Sequence, residues 1–387
     1  MTLYPSDLLA AALLAIAALR FCLERHRRLR VVGLAAVMLS VILFINLFLG
    51  LPKFGLEQAV NEFRYWLLPI AVLLHGLTYS TGAGYAQQIM RAWATAAVVL
   101  CALAAYFWLA YYIGLPYPVQ LVAETSAYYA VPRVMVSALA MCILIGTFFA
   151  WWGVTQLNWS RRWHWALPFL LLTLLMLQHR TIWVAGLVMI AYLLLTSKLA
   201  RKRLMVAVAV AAVAGAVFLY VTPSSPVAES LTGAVESTTE ENSTLSWRLQ
   251  GWEQLIRPEN IGDPVNYLTG LPMGTGWLRF INQQEITAGP HNQFVQLLLR
   301  GGVIGLMAVF ALFFNLFRRS GYDTLGTAAR TALIGVLIYW FTYGTLATDS
   351  VVFLLGAALL GRDQRSSSPR RAFGEDLQSS QHPTESI

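Results

Sequence analysis

The residues best suited to chemistry lie in Gly289-Pro290-His291-Asn292, where a long polar loop ends and an apolar run begins at Gln293. Proline fixes the turn into a helix start, and a helix N-terminus offers unpaired N–H groups and a partial positive charge. A histidine held there exchanges protons near neutral pH, which suits acid–base work on a substrate arriving at a membrane surface. Read alone, His291 is better explained as the cap of a membrane helix; its company shifts that balance. Arg180 stands in the tight turn Gln178-His179-Arg180-Thr181, Arg248 projects from an amphipathic segment, and Arg133 directly follows Pro132. With Arg64 and Asn292 they make up the candidate substrate-binding set. Guanidinium groups bind diphosphates through paired hydrogen bonds and stay charged at physiological pH. Arginines converging beside a histidine are what a lipid-linked diphosphate requires. A simpler role, holding a lipid headgroup phosphate or a nearby Glu, suits Arg257 and Arg279 and equally Arg64. Arg300 lies deeper in the apolar run, where it could line an inner cavity for the diphosphate.

The elements that must position these residues are membrane helices. A mean hydropathy of +0.59, with 57% hydrophobic and 12% charged residues, is too apolar for a soluble globule. A bilayer-crossing helix needs about 20 apolar residues. Runs near 6–22, 31–51, 66–79, 92–114, 133–153, 164–178, 181–197, 204–221, 293–317, 326–344 and 346–361 approach or meet that length. The expected fold is all-α and polytopic, with about 11 spans. The first run has neither a basic n-region nor a small-residue cleavage site and reads as a retained span. Cys22, Cys101 and Cys142 are scattered through the spans and form no disulfide or metal framework. Basic clusters at Arg25–Arg30, Arg161-Arg162, Lys198–Arg203, Arg318-Arg319 and in the tail fall on alternate loops. By the positive-inside rule, the N-terminus is then outside and the C-terminus inside. The net charge of +8 is thus a topology signal and argues against a nucleic-acid partner.

Four regions follow: a membrane domain over 1–221 with eight spans, a large outer loop over 222–292, the last spans over 293–361, and a disordered inner tail over 362–387. Within the loop, Pro223–Glu241 reads as a flexible flap. Asn242-Ser243-Thr244 reads as a helix start for Leu245, Leu249, Trp252, Leu255 and Ile256, which recur at helical spacing. Gly274-Thr275-Gly276 lacks the preceding strand and the Lys-Ser/Thr ending of a P-loop.

Taken together, Arg180-Thr181-Ile182-Trp183, Ser246-Trp247-Arg248, Gly274-Thr275-Gly276, and His291-Asn292 with Gly302 and Gly305 carry a family resemblance. Over roughly residues 130–320 the chain resembles the O-antigen ligase and O-antigen polymerase superfamily of bacterial inner-membrane enzymes. Where the ligase-type loop arginine is often followed four positions on by Leu, this chain has Trp252. The resemblance implies a glycosyltransferase that works without cofactor or metal. It would take a glycan from undecaprenyl diphosphate at the periplasmic face of the inner membrane, among membrane lipids. A ligase passes that glycan to a sugar hydroxyl of lipid A–core; a polymerase passes it to a second lipid-linked glycan. His291 would accept the hydroxyl's proton, and Arg180 and Arg248 would stabilise the departing diphosphate. No Asp-x-Asp pair and no His/Glu cluster lies on the outer side. His26, His75 and His164 read as structural, and His179 as a possible assistant to Arg180. A flippase that moves lipid-linked glycans without chemistry is the alternative from another class, but the chain shows no internal repeat.

Overall fold

The computed structural model describes residues 4–23, 32–78, 83–116, 132–197, scattered positions within 201–221, then 244–281, 283–344 and 347–359. The expected flap, the proposed cap residues Asn242 and Ser243, most of the eighth span, the Arg25–Arg30 cluster and the tail lie outside the described residues.

Seven helices come first: α1 (Pro5–Leu23), α2 (Val32–Phe54), α3 (Leu56–Thr78), α4 (Ala83–Ile113), α5 (Ser137–Gln156), α6 (Arg162–Met176) and α7 (Arg180–Thr196). After the undescribed stretch come α8 (Thr244–Ile256) and the short α9 (Pro258–Ile261) and α10 (Pro264–Thr269). A hairpin of β1 (Arg279–Ile281) and β2 (Gln284–Ile286) follows, then α11 (Gln293–Arg319), α12 (Thr324–Trp340) and α13 (Ala347–Leu359). The described residues form an all-α membrane protein apart from that hairpin. Among the described residues five helical segments, α1, α2, α4, α5 and α11 taken end to end, are long and apolar enough to cross a membrane.

Small residues bring these helices together, as expected where lipid removes the hydrophobic drive between apolar surfaces. On α4, Ala86, Met90, Ala94, Ala97, Cys101 and Ala104 recur every three or four residues and are all buried. They face α5, where a Cβ on Gly146 would stand 2.3 Å from that of Ala97. The start of α5 meets the end of α12 through Ser137 Oγ and Tyr339 Oη, 3.2 Å apart. Its other end meets the start of α12 through Trp152 Nε1, which donates to Thr324 O at 3.0 Å. The two helices therefore run antiparallel. The basic turns Arg161-Arg162 and Arg318-Arg319 lie towards one end, and the Tyr339 end of α12 is opposite.

The expected ninth span needs correction: α11 is two arms, not one rod. Gly302 has φ 62 and ψ −170 inside it, a region open to glycine alone. In a straight helix, residues 294 and 310 would be separated by about 24 Å. Instead the rings of Phe294 and Phe310 stack with centroids 5.6 Å apart, so the arms fold into a V. The carbonyls released at the break find foreign donors. Leu271 N donates to Leu299 O at 2.6 Å, and Asn46 Nδ2 to Arg300 O at 2.9 Å. A Cβ on Gly302 would lie 2.1 Å from Leu268 O, so only glycine admits the end of α10 into the vertex.

The third span is also longer than its apolar run. The structure extends α3 back to Leu56, and this polar first part carries Glu62. Arg300, 1% exposed, pairs with it: Nε lies 2.8 Å from Glu62 Oε2, and Nη2 donates to Glu62 Oε1 at 3.0 Å and to Gly276 O at 2.8 Å. Glu62 also accepts from Gly274 N and Gly276 N, each at 2.8 Å. The glycine turn is thus a binding loop for a carboxylate of its own chain. Arg300 is neutralised by Glu62 rather than lining a cavity for diphosphate.

Candidate functional site

Most of the candidate residues meet around a turn that had been read as the end of a helix. It comprises Phe341-Thr342-Tyr343-Gly344, directly after α12. Asn292 caps α11 by accepting from Val295 N at 3.0 Å, while its amide nitrogen donates to Phe341 O at 2.9 Å. One side chain therefore starts a helix and fastens it to the turn. Thr342 Oγ1 donates to Thr181 Oγ1 at 2.9 Å, which brings the start of α7, with Arg180, to the same place. The Arg248 guanidinium lies 5.2 Å from the Tyr343 ring centre. Tyr343 stacks in turn on Tyr339, with centroids 5.0 Å apart. Gly344 lets the Gln296 amide pack against the turn, since a Cβ there would stand 2.7 Å from Gln296 Nε2.

His291 precedes Asn292 with φ 49, a left-handed conformation that is uncommon outside glycine. Its neighbour Pro290 is held by Trp252, whose Nε1 donates to the Pro290 carbonyl at 2.5 Å and whose ring meets Phe341 edge-on at 6.0 Å. The residue that departs from the ligase pattern is therefore part of the His291 support. His291 is exposed as a residue, and its imidazole makes no hydrogen bond among the described residues. The surrounding protein mass, followed by the guanidiniums of Arg248 and Arg279, holds its pKa below the ordinary 6.5. A neutral imidazole with a free lone pair is the form that can accept a proton.

Arg279, assigned from sequence to a lipid headgroup or a Glu, is instead buried at 3% exposure. Its Nη1 donates to Trp277 O at 3.1 Å and Ala288 O at 2.7 Å. Arg133 donates from Nη2 to Gln178 O at 3.0 Å and so braces the turn that presents Arg180. Gln178 has φ 54, so both motif turns lead into their helices from a left-handed residue. His179 is buried and bonds to Met135 O at 2.9 Å through Nε2, which must carry the hydrogen because a carbonyl only accepts. Burial, the largest influence, pushes its pKa down to about 4, so it stays neutral beside Arg133. Arg64 is not brought to this turn by its contacts. It pairs with Asp7 at 3.1 Å and lies 4.7 Å from the Tyr4 ring centre, joining α3 to α1.

The arrangement gathers two helix N-termini (α7 and α11), the guanidinium of Arg248 and a histidine biased towards neutrality, with the backbone of the Arg180 turn tied in through Thr181. Such a set holds an anion and accepts a proton next to it. Sequence reasoning missed the 341–344 turn, Trp252 as a brace, Arg279 and Glu62. The signal for the turn was Thr342 and Gly344, a hydroxyl and a glycine closing an apolar run. The chain matches no protein-family model, no curated protein and no solved structure.

Proposed function

We propose that the protein is a glycosyltransferase using a glycan linked to undecaprenyl diphosphate, with a sugar hydroxyl of lipid A–core as acceptor. The carrying observation is the convergence of His291, Arg248 and the Arg180 turn on residues 341–344. The hydroxyl oxygen forms a bond to the anomeric carbon, and the bond from that carbon to the diphosphate oxygen breaks. The electron pair leaves with undecaprenyl diphosphate, and the hydroxyl proton passes to the neutral His291. Arg248 and Arg180 meet the charge that grows on the leaving group.

The basic turns at the opposite end of α5 and α12 support, by the positive-inside rule, a periplasmic site in a multi-pass inner-membrane protein. A polymerase would use the same groups on a second lipid-linked glycan. The break in α11 is the feature that favours a transporter, because broken helices line many transport sites; the pairing of Arg300 with Glu62 argues against it. The test is reconstitution of the full chain in proteoliposomes with lipid-linked glycan and rough lipopolysaccharide. The expected product is glycan-bearing lipopolysaccharide. Elongated lipid-linked glycan would instead identify a polymerase, and no transfer to either acceptor would defeat the enzyme reading.

A further inference from the structure

Arg279 closes the open end of the β1–β2 hairpin. The strands pair from Arg279↔Ile286 to Ile281↔Gln284, and the carbonyls of Trp277 and Ala288 flank the pairing on its two sides. One nitrogen, Nη1, donates to both. The guanidinium lies 5.7 Å from the Trp247 ring centre. It fits because residue 251 is glycine: a Cβ there would lie 2.8 Å from Arg279 Nε. The chain leaving the hairpin is thus fixed at Ala288 by Arg279 and at Pro290 by Trp252. His291 comes next, in its left-handed conformation.

We propose that Arg279 is a positioning residue, whose grip on the Trp277 and Ala288 carbonyls sets where the His291 ring stands. It touches neither substrate nor reacting atoms in this scheme, and only the activity arm of its test rests on the glycosyltransferase reading. The charges that reach His291 are Arg248 from α8 and Arg279 from β1, while the 341–344 turn carries no charged residue. Arg279 therefore acts on His291 in two separable ways, through the path of the chain and through its field.

Two variants, Arg279→Gln and Arg279→Lys, separate them in the full-length protein in nanodiscs. The readout is carbethoxylation of His291 by diethyl pyrocarbonate across pH, quantified by peptide mass spectrometry. The limiting rate at high pH reports the surroundings of the ring, and the midpoint reports its charge. Positioning predicts that the limiting rate changes severalfold in both variants, because neither side chain reproduces a planar guanidinium. The midpoint rises in Arg279→Gln and holds in Arg279→Lys, which keeps the charge. In the transfer assay both variants lose about tenfold or more in kcat with little change in KM, as small misplacements do. An unchanged limiting rate in both variants overturns the proposal, whatever the transfer assay shows. If Arg279→Gln fails to insert, Arg279→Lys decides by the same criterion. If the wild type lacks transfer activity while both variants still show the rate changes, the enzyme reading alone falls.

Discussion

Arg300 and Arg248 each lie against an aromatic ring, and they differ in what answers the charge. At the break in α11, Arg300 lies 4.1 Å from the Trp277 ring centre and is answered by Glu62, which two backbone N–H groups also grip. At the 341–344 turn, Arg248 lies on Tyr343, and the nearby groups that act on His291 are cations. Arg300, matched by a carboxylate of its own chain, builds architecture; the proposed reaction assigns Arg248 to the substrate instead. The aromatic stacking is common to both, so the carboxylate tells them apart.

The sharpest break in this comparison exchanges loss of function for loss of fold. His291→Ala is expected to lower transfer by about 10²–10⁴-fold, the usual contribution of an acid–base residue, while leaving the protein monodisperse with unchanged thermal stability. Near-normal transfer by this variant would reduce His291 to a cap. Arg300→Leu should do the reverse. Removing one partner of a buried pair typically costs about 3–5 kcal/mol, so the variant should aggregate or melt early in detergent. A wild-type melting curve would mean that the Glu62 clamp contributes little. Gly302→Ala probes the vertex: the backbone strain alone is worth about 1–3 kcal/mol, and the Leu268 carbonyl blocks the new methyl. Thermal unfolding of that variant should fall between the wild type and Arg300→Leu.

The smallest effect concerns pH. Because the His291 pKa is lowered, the imidazole remains neutral as pH falls through 6.5, and transfer should decline only below that value. Removing a cation eases protonation, so Arg248→Gln should move the acidic limb of the rate profile upward, towards 6.5. An unmoved limb would show that Arg248 does not act on His291.

The helices were legible because each apolar run is long and ends in charge or glycine; α1, α2, α5, α6 and α7 lie close to where their runs predict. Two features were hidden for physical reasons. The break at Gly302 sits in an unbroken apolar run, and the groups that stabilise it, Asn46 and Leu271, come from remote parts of the chain. The start of α3 is too polar to read as a span, since Glu62 becomes buried only by pairing with Arg300. Within the site, His291 and Arg248 stood out because they occupy a loop where arginine is unusual. The 341–344 turn did not, because Phe341 and Tyr343 prolong the apolar run of α12 and conceal the change of direction.

The clamp also sets an order on biosynthesis. Glu62 and Arg300 are 238 residues apart, and at about 5–20 residues per second the second follows the first by about 10–50 s. Through that interval the ribosome-bound chain carries a carboxylate whose partner does not yet exist, along with a helix α2 whose Asn46 has no Arg300 carbonyl to hold. The N-terminal helices therefore reach the membrane as an unfinished half. The place where His291 stands is finished later still, when residues 341–344 arrive, so any chain released before Arg300 lacks both the site and the lock.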